Sequence, residues 1–305
     1  MRVPRYYFNF KCIADRCRHS CCVGWEIDVD GRTLARYRAL GGEMGDSITK
    51  SIEETKDGAH FRLDEGERCP HLTENGLCRI IQALGEGYLC DICREHPRFY
   101  NAVGGAWECG LGLACEEAAR VVLASENYDE FVKIEDADEG FTPETGGDFD
   151  AFARRAALYA YLRQKRPPLA ARLSKIEQLY GIGATLSQRE HRALFEGLEY
   201  LDEAHRALFA GALCTDFAPT GALSDACERF FAYLILRHAS SAENETDFAA
   251  AVSMAHLLAR LFYALISTKF VPPAECARIL SEELEYSEEN TAAIRAALEN
   301  KKKGA

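Results

Sequence analysis

The side chains best suited to chemistry in this sequence are its cysteines, and they crowd toward one end. Ten of the 13 lie at or before residue 115: Cys12, Cys17, Cys21, Cys22, Cys69, Cys78, Cys90, Cys93, Cys109 and Cys115. Only Cys214, Cys227 and Cys276 fall beyond it. Cysteine used simply as a small core hydrophobe would not thin so abruptly. The run Cys12-x4-Cys17-x3-Cys21-Cys22 sets thiols a few residues apart, so one tight loop can bring them to a single centre at little entropic cost. Neighbouring side chains diverge, however, so one of Cys21 and Cys22 is expected to ligate while the other packs or serves a second site. A second block holds Cys69-Pro70-His71, Cys78 and Cys90-x2-Cys93, and Cys109 and Cys115 make a third.

Two chemistries suit such a cluster: a disulfide framework, or ligation of a metal or iron–sulfur group. The first residues, MRVPRYYFNFKC, contain no apolar signal core, so export is not expected and a cytoplasmic, reducing location is. That favours metal. Several templates fail. A zinc ribbon needs two C-x2-C knuckles, and only Cys90/Cys93 supplies one. The ferredoxin run is missing, and Gly24 stands where a C-x3-C-x2-C triad would need its third thiol. Phosphate-cradling glycine motifs are absent. A Cys–His nucleophile is possible on paper, but with so many thiols it is unspecific.

These thiols need elements to position them. The 305 residues, 48% hydrophobic and 28% charged, suffice for two globular domains. The net charge of −12 argues against nucleic acid as the partner. The most apolar stretch, residues 249–266, includes Ser253, His256 and Arg260 and is expected to fall short of a membrane span. Acidic and glycine-containing residues 135–150 read as a linker. The expected fold class is α+β, mostly helical: a small cysteine-rich metal-binding domain over 1–134, then an all-α domain over 151–305.

In the first part, Trp25 to Asp30 alternates apolar and acidic residues as a half-buried strand does, and Phe61-Arg62-Leu63 reads as another. Thr33 to Leu40, Cys78 to Leu84 and Leu113 to Ala124 read as helices, with a tight turn at Asn75-Gly76. In the second part, Leu194, Leu198, Leu201, His205 and Leu208 form one helical stripe, and Phe231, Leu234, Ile235 and His238 another. Pro167-Pro168 separates two helices, and Ser287 or Asn290 caps the last one.

The combined pattern C-x4-C-x3-C-C-x-G-W, C-P-x-L, G-L-C-x-I and C-R-x-x-P-R resembles the cysteine-rich zinc- or iron-chelating proteins, and among them the bacterial flagellin lysine N-methylases. The segments Cys115–Arg120, Gln82–Gly85 and Glu228–Arg237 are similar to that family too. The positions matching its pattern are Cys12, Cys17, Cys21, Cys22, Cys69, Cys78, Cys93 and Cys115. Cys90 and Cys109 fall outside it and rank lower as ligands. The resemblance implies a [4Fe–4S] cluster, with Zn2+ as the alternative, and methyl transfer from S-adenosylmethionine to lysines of flagellin or a similar protein. Eight thiolates exceed the four that one cubane or one zinc needs, so some are structural or there are two sites. The rival reading is a non-catalytic iron- or zinc-delivery protein.

If the activity holds, the target ammonium must lose a proton before it can attack a sulfonium. Glu26, Asp28 and Asp30 are candidates to attract that cation, with the wet side of an edge strand as their plainer reading. Arg94 and Arg98 are candidates for the methyl donor's carboxylate. His71 and His96 could steady metal ligands. Tyr233 and Arg237, four apart on one helix, are candidates to line a cleft.

Overall fold

The computed structural model describes residues 1–56, 58–103, 105–134, 149–181, 186–214, 216–269 and 271–303. It is mostly helical, 57% helix against 11% strand, as the sequence suggests. Two compact units emerge. One comprises Lys11–Pro97 with Cys115–Glu117; the other comprises Met1–Phe10, Arg98–Ala114 and Ala118–Ala305. The chain therefore starts in the helical unit, builds the cysteine unit as an excursion, and returns. Of the expected linker at 135–150, residues 135–148 lie outside the described residues.

In the cysteine unit, short elements surround a small core of Ile27, Val29, Tyr37, Ile48, Phe61 and Ile80. Strands β2 (Ile52–Thr55) and β3 (Gly58–Phe61) form a hairpin with Ile52 opposite Phe61. Trp25 to Asp30 is not a regular strand. It lies extended beside β3 through Val29 N to Ala59 O (2.8 Å) and Phe61 N to Ile27 O (3.0 Å), joined only by an isolated bridge. Its alternation survives all the same: Ile27 and Val29 are buried, Glu26 and Asp28 exposed. Pairing ends there because Asp30 turns to cap a helix, Gly31–Ala39, accepting from Thr33 N at 2.9 Å. That helix ends at Leu40, whose backbone is extended, and Gly42 opens another, Gly42–Lys50. The expected turn at Asn75-Gly76 is present: Gly76 takes φ +74°, which favours glycine, and its N–H donates to Thr73 O.

The helical unit contains a four-stranded sheet ordered β4-β5-β1-β6, from β1 (Arg2–Pro4), β4 (Arg98–Val103), β5 (Ala106–Leu111) and β6 (Phe131–Lys133). β4 and β5 are an antiparallel hairpin, and β1 runs parallel to β5 with Arg2 opposite Glu108. Around the sheet lie helices whose core is the pair Gly221–Ala239 and Glu245–Thr268, with Phe230 stacked on Phe262 at 4.4 Å between ring centres. Phe231, Leu234 and Ile235 are buried there, as their spacing predicts. Glu245–Thr268 is, by length and composition, long enough and apolar enough to cross a membrane, which corrects the expectation; yet 72% of its apolar window is buried inside this unit.

Pro167 and Pro168 do separate two helices, Ala151–Leu162 and Leu169–Tyr180. The stripe from Leu194 to Leu208 is not one helix. Gly197 closes Gln188–Glu196, Asp202 caps a new helix Glu203–Ala210, and Leu201 between them is 71% exposed. Helix Pro273–Leu280 loosens into a π-helical turn, Ser281–Glu285, and Ser287 caps the last helix, Glu288–Lys303, through its Oγ and Asn290 N.

Candidate metal centre

Nine cysteines belong to the cysteine unit: the eight that match the family pattern, and Cys90. Cys109 lies on β5 in the helical unit, fully buried, with its thiol toward Gly110 O.

Five of the nine form an inner group. Cys69 and Cys90 are buried in the core of the unit, and Cys22, Cys78 and Cys93 pack against it. Local structure explains their convergence. Cys69 N donates to Cys22 O at 2.8 Å, and a bridge pairs Val23 with Arg68, joining the first cysteine run to the second block. A further bridge pairs Leu72 with Cys78, which sits at the start of helix Arg79–Leu84. Cys90 and Cys93 flank the first turn of the short helix Asp91–Glu95, and Asp91 N donates to Asp30 Oδ2 at 2.9 Å. Asp30 thus ties two helix starts together. Burial works against its charge, but the donors at Asp91 and Thr33 outweigh it and hold the carboxyl below its usual range.

Cys90, placed low in the sequence ranking, belongs to this group, and the C-x2-C spacing to Cys93 is the signal that pointed to it. The electrostatics show thiols that repel one another when ionised. Burial, reinforced by the charges of Cys22, Cys78 and Cys90, pushes the Cys69 thiol up to about 12. Cys78 rises for the same reasons. Within the knuckle, Cys93 donates to Cys90, which lowers Cys90 and raises Cys93. Gathering thiolates here without a cation is unfavourable; a metal ion reverses that sign.

The remaining four, Cys12, Cys17, Cys21 and Cys115, are exposed or half-exposed. Cys17 Sγ lies 3.8 Å from Glu116 Oε2, and Arg18 holds the same carboxylate through its backbone N (2.9 Å) and Nε (3.0 Å). Trp25 Nε1 donates to Cys21 O at 2.5 Å. Among the described residues, no three Cys, His, Asp or Glu side chains stand ready to hold an ion as they are.

The other candidates are placed as follows. Glu26 approaches His60 at 3.7 Å, Asp28 is exposed, and the Asp30 carboxylate is taken up by capping rather than offered to a ligand. Arg94 pairs with Asp91 and Glu95. In the helical unit, Arg98 Nε donates to Tyr7 Oη at 2.7 Å, and Arg237 lies over Phe99 at 4.4 Å. Tyr233 Oη accepts from Leu113 N and donates to Glu285 Oε2 at 3.1 Å. Tyr233 and Arg237 thus share surroundings, whereas Arg94 belongs to the other unit. His71 bonds Ser51 Oγ at 2.8 Å, and burial lowers it to about 4, so it is neutral. The His96 ring faces Trp25 at 5.9 Å between centres.

No family profile matches the chain, and no solved structure does. Curated relatives do. The lysine-N-methylases of Salmonella choleraesuis and Salmonella typhimurium are each 30% identical over 126 residues, 39% of this chain and 31% of theirs. The flagellar biosynthetic protein FliU of Salmonella muenchen is 29% identical over 126 residues, 39% of this chain and 75% of its own length. The chain thus spans about a third of the length of the two lysine-N-methylases. Across that shared stretch the chain is similar to proteins named lysine-N-methylase and flagellar biosynthetic protein FliU, which supports the resemblance to the flagellin lysine N-methylase family.

Proposed function

We propose that this chain is a cytoplasmic, S-adenosylmethionine-dependent protein-lysine N-methyltransferase, with flagellin or a similar protein as substrate and a [4Fe–4S] cluster held by thiolates of the cysteine unit. The observation that carries the proposal is the gathering of thiols in one unit of a chain whose relatives are named lysine-N-methylase. The donor set suits the group. Cys22, Cys69, Cys78, Cys90 and Cys93 supply at least the four soft thiolates that a cubane takes, around a core that limits water. When bound, the cluster supplies redox-active iron. The chain's own residues would then attract and orient the substrate: Glu26 and Asp28 present carboxylates to solvent, complementary to a lysine side chain. A neutral amine is required at transfer, so the site must also accept the ammonium proton.

The test is direct. Purified, cluster-loaded protein is incubated with S-adenosylmethionine and flagellin, and the flagellin is weighed by mass spectrometry. A mass gain on lysine is expected; no gain with the cluster intact defeats the reading. Metal binding without calorimetric affinity for S-adenosylmethionine would establish the iron- or zinc-delivery alternative instead.

A further inference from the structure

Two buried nitrogens of the helical unit, His191 Nδ1 and Arg260 Nε, meet no partner in the protein, and both side chains line one small cavity. We propose that this cavity is a binding site for a single neutral, water-sized molecule, water itself, which donates to His191 Nδ1 and accepts from Arg260 Nε.

His191 comes from helix Gln188–Glu196 and is 2% exposed. Its Nε2 stands 2.9 Å from Phe209 O. A carbonyl oxygen can only accept, so the ring proton sits on Nε2 and Nδ1 carries a lone pair. Burial lowers the pKa of this ring, with the Phe209 carbonyl opposing in part, so the ring is neutral at pH 7 and Nδ1 is an acceptor.

Arg260 comes from the core helix Glu245–Thr268. One end of its guanidinium is already engaged: Nη2 donates to Cys214 O at 2.9 Å, and the central carbon lies 5.7 Å from the centre of the Phe217 ring. The buried Nε–H is left to donate into the cavity. A buried donor or acceptor without a partner is costly, so two of them in one cavity point to something that completes both.

The size and chemistry of the cavity select the occupant. It offers about 10 Å³ to the centre of a water molecule, close to the least that a bound water needs. Leu186, Leu257 and Leu261 make up much of its wall, so the two nitrogens decide what is held there. An anion accepts from Arg260 but brings no proton to Nδ1, whose lone pair repels it. A cation is repelled by the guanidinium. A hydroxyl satisfies both nitrogens at once, and water is the hydroxyl small enough to enter. Bound in this way, it fastens helix Gln188–Glu196 to the core helix. All of these residues belong to the helical unit, and the site stands whatever the thiols hold.

The experiment counts long-lived internal waters in the full chain by oxygen-17 magnetic relaxation dispersion, in the wild type, His191→Phe and Arg260→Met. Each variant removes one of the two partners and should hold one water fewer than the wild type. An unchanged count in either variant overturns the proposal. Should a variant not fold, imidazole nitrogen-15 spectra of the wild type decide. A proton on Nε2 of His191, with Nδ1 shifted as a hydrogen-bonded acceptor, is expected; a proton on Nδ1, or an Nδ1 shift typical of a free lone pair, overturns it. Wild-type crystals soaked in bromide test the charged alternative: no anomalous signal is expected between His191 and Arg260, and a signal there would make this an anion site and overturn the assignment to water.

Discussion

Arg155 meets Glu108 in a two-point ion pair, Nη2 to Oε1 at 2.7 Å, with both side chains only 2% exposed. Glu108 comes from β5 and Arg155 from helix Ala151–Leu162, so the pair fastens sheet to helix inside the helical unit. Ser240 Oγ accepts from the same guanidinium, and the rings of Phe131, Phe152 and Tyr159 surround it. Glu108→Gln keeps the shape but leaves a buried cation uncompensated. Such a break costs about 3–5 kcal/mol. Urea denaturation should show that loss, while Arg155→Met/Glu108→Leu should recover much of it. An unchanged midpoint in the single variant would deny the pair its structural role.

Asp30 gives a smaller and more local prediction. Its two carboxylate oxygens cap Gly31–Ala39 and hold Asp91 N beside Cys90. Losing a cap costs about 1 kcal/mol, and here a second donor is orphaned as well. Asp30→Ala should lower the melting temperature and weaken metal retention, whereas Asp30→Asn, which keeps an acceptor for the cap, should do less. Equal melting and metal content in Asp30→Ala and the wild type would refute this.

How far the sequence speaks is clear from particular residues. Alternation exposed the buried face of Ile27 and Val29, because burial depends only on period; it did not reveal that Asp30 leaves the strand path to cap a helix. Regular spacing joined Leu194 to Leu208, but spacing carries no information on where Gly197 and Asp202 interrupt the backbone. Cysteine density identified the candidate centre. The grouping of its thiols depends on long-range contacts such as Cys22–Cys69 and Arg18–Glu116, which local sequence does not encode. The membership of residues 1–10 in the helical unit, through β1 beside β5, is invisible for the same reason.

His256 makes acid stability predictable. It is 5% exposed on Glu245–Thr268, and burial, aided by the positive charge of Arg260, lowers it to about 4. The unfolded chain protonates near the ordinary value of about 6.5, before the native state does. Stability should therefore fall as pH drops from about 6.5 toward 4, by about 3 kcal/mol from this group, and level off below. Denaturation curves at pH 7 and pH 5 measure the effect. His256→Gln, unable to ionise, should flatten the difference; an equal pH dependence in that variant would place the effect elsewhere.

The inner thiols offer the sharpest test of the candidate centre. Cys69 is buried and repelled by its neighbours, so its ionisation is favourable only when a cation offsets the clustered charge. Cys93 donates to Cys90 and is strained in the same direction. Both thiols stay protonated without metal, so removing either costs a little packing in the metal-free protein but destroys the ligand set in the loaded one. Melting of wild-type, Cys69→Ala and Cys93→Ala protein, each with and without a chelator, separates them. The wild type should lose stability on chelation, because binding energy is folding energy at such a site. The variants should respond little to chelator and should contain less iron. A chelator response in Cys69→Ala or Cys93→Ala as large as the wild type's would remove that residue from the ligands.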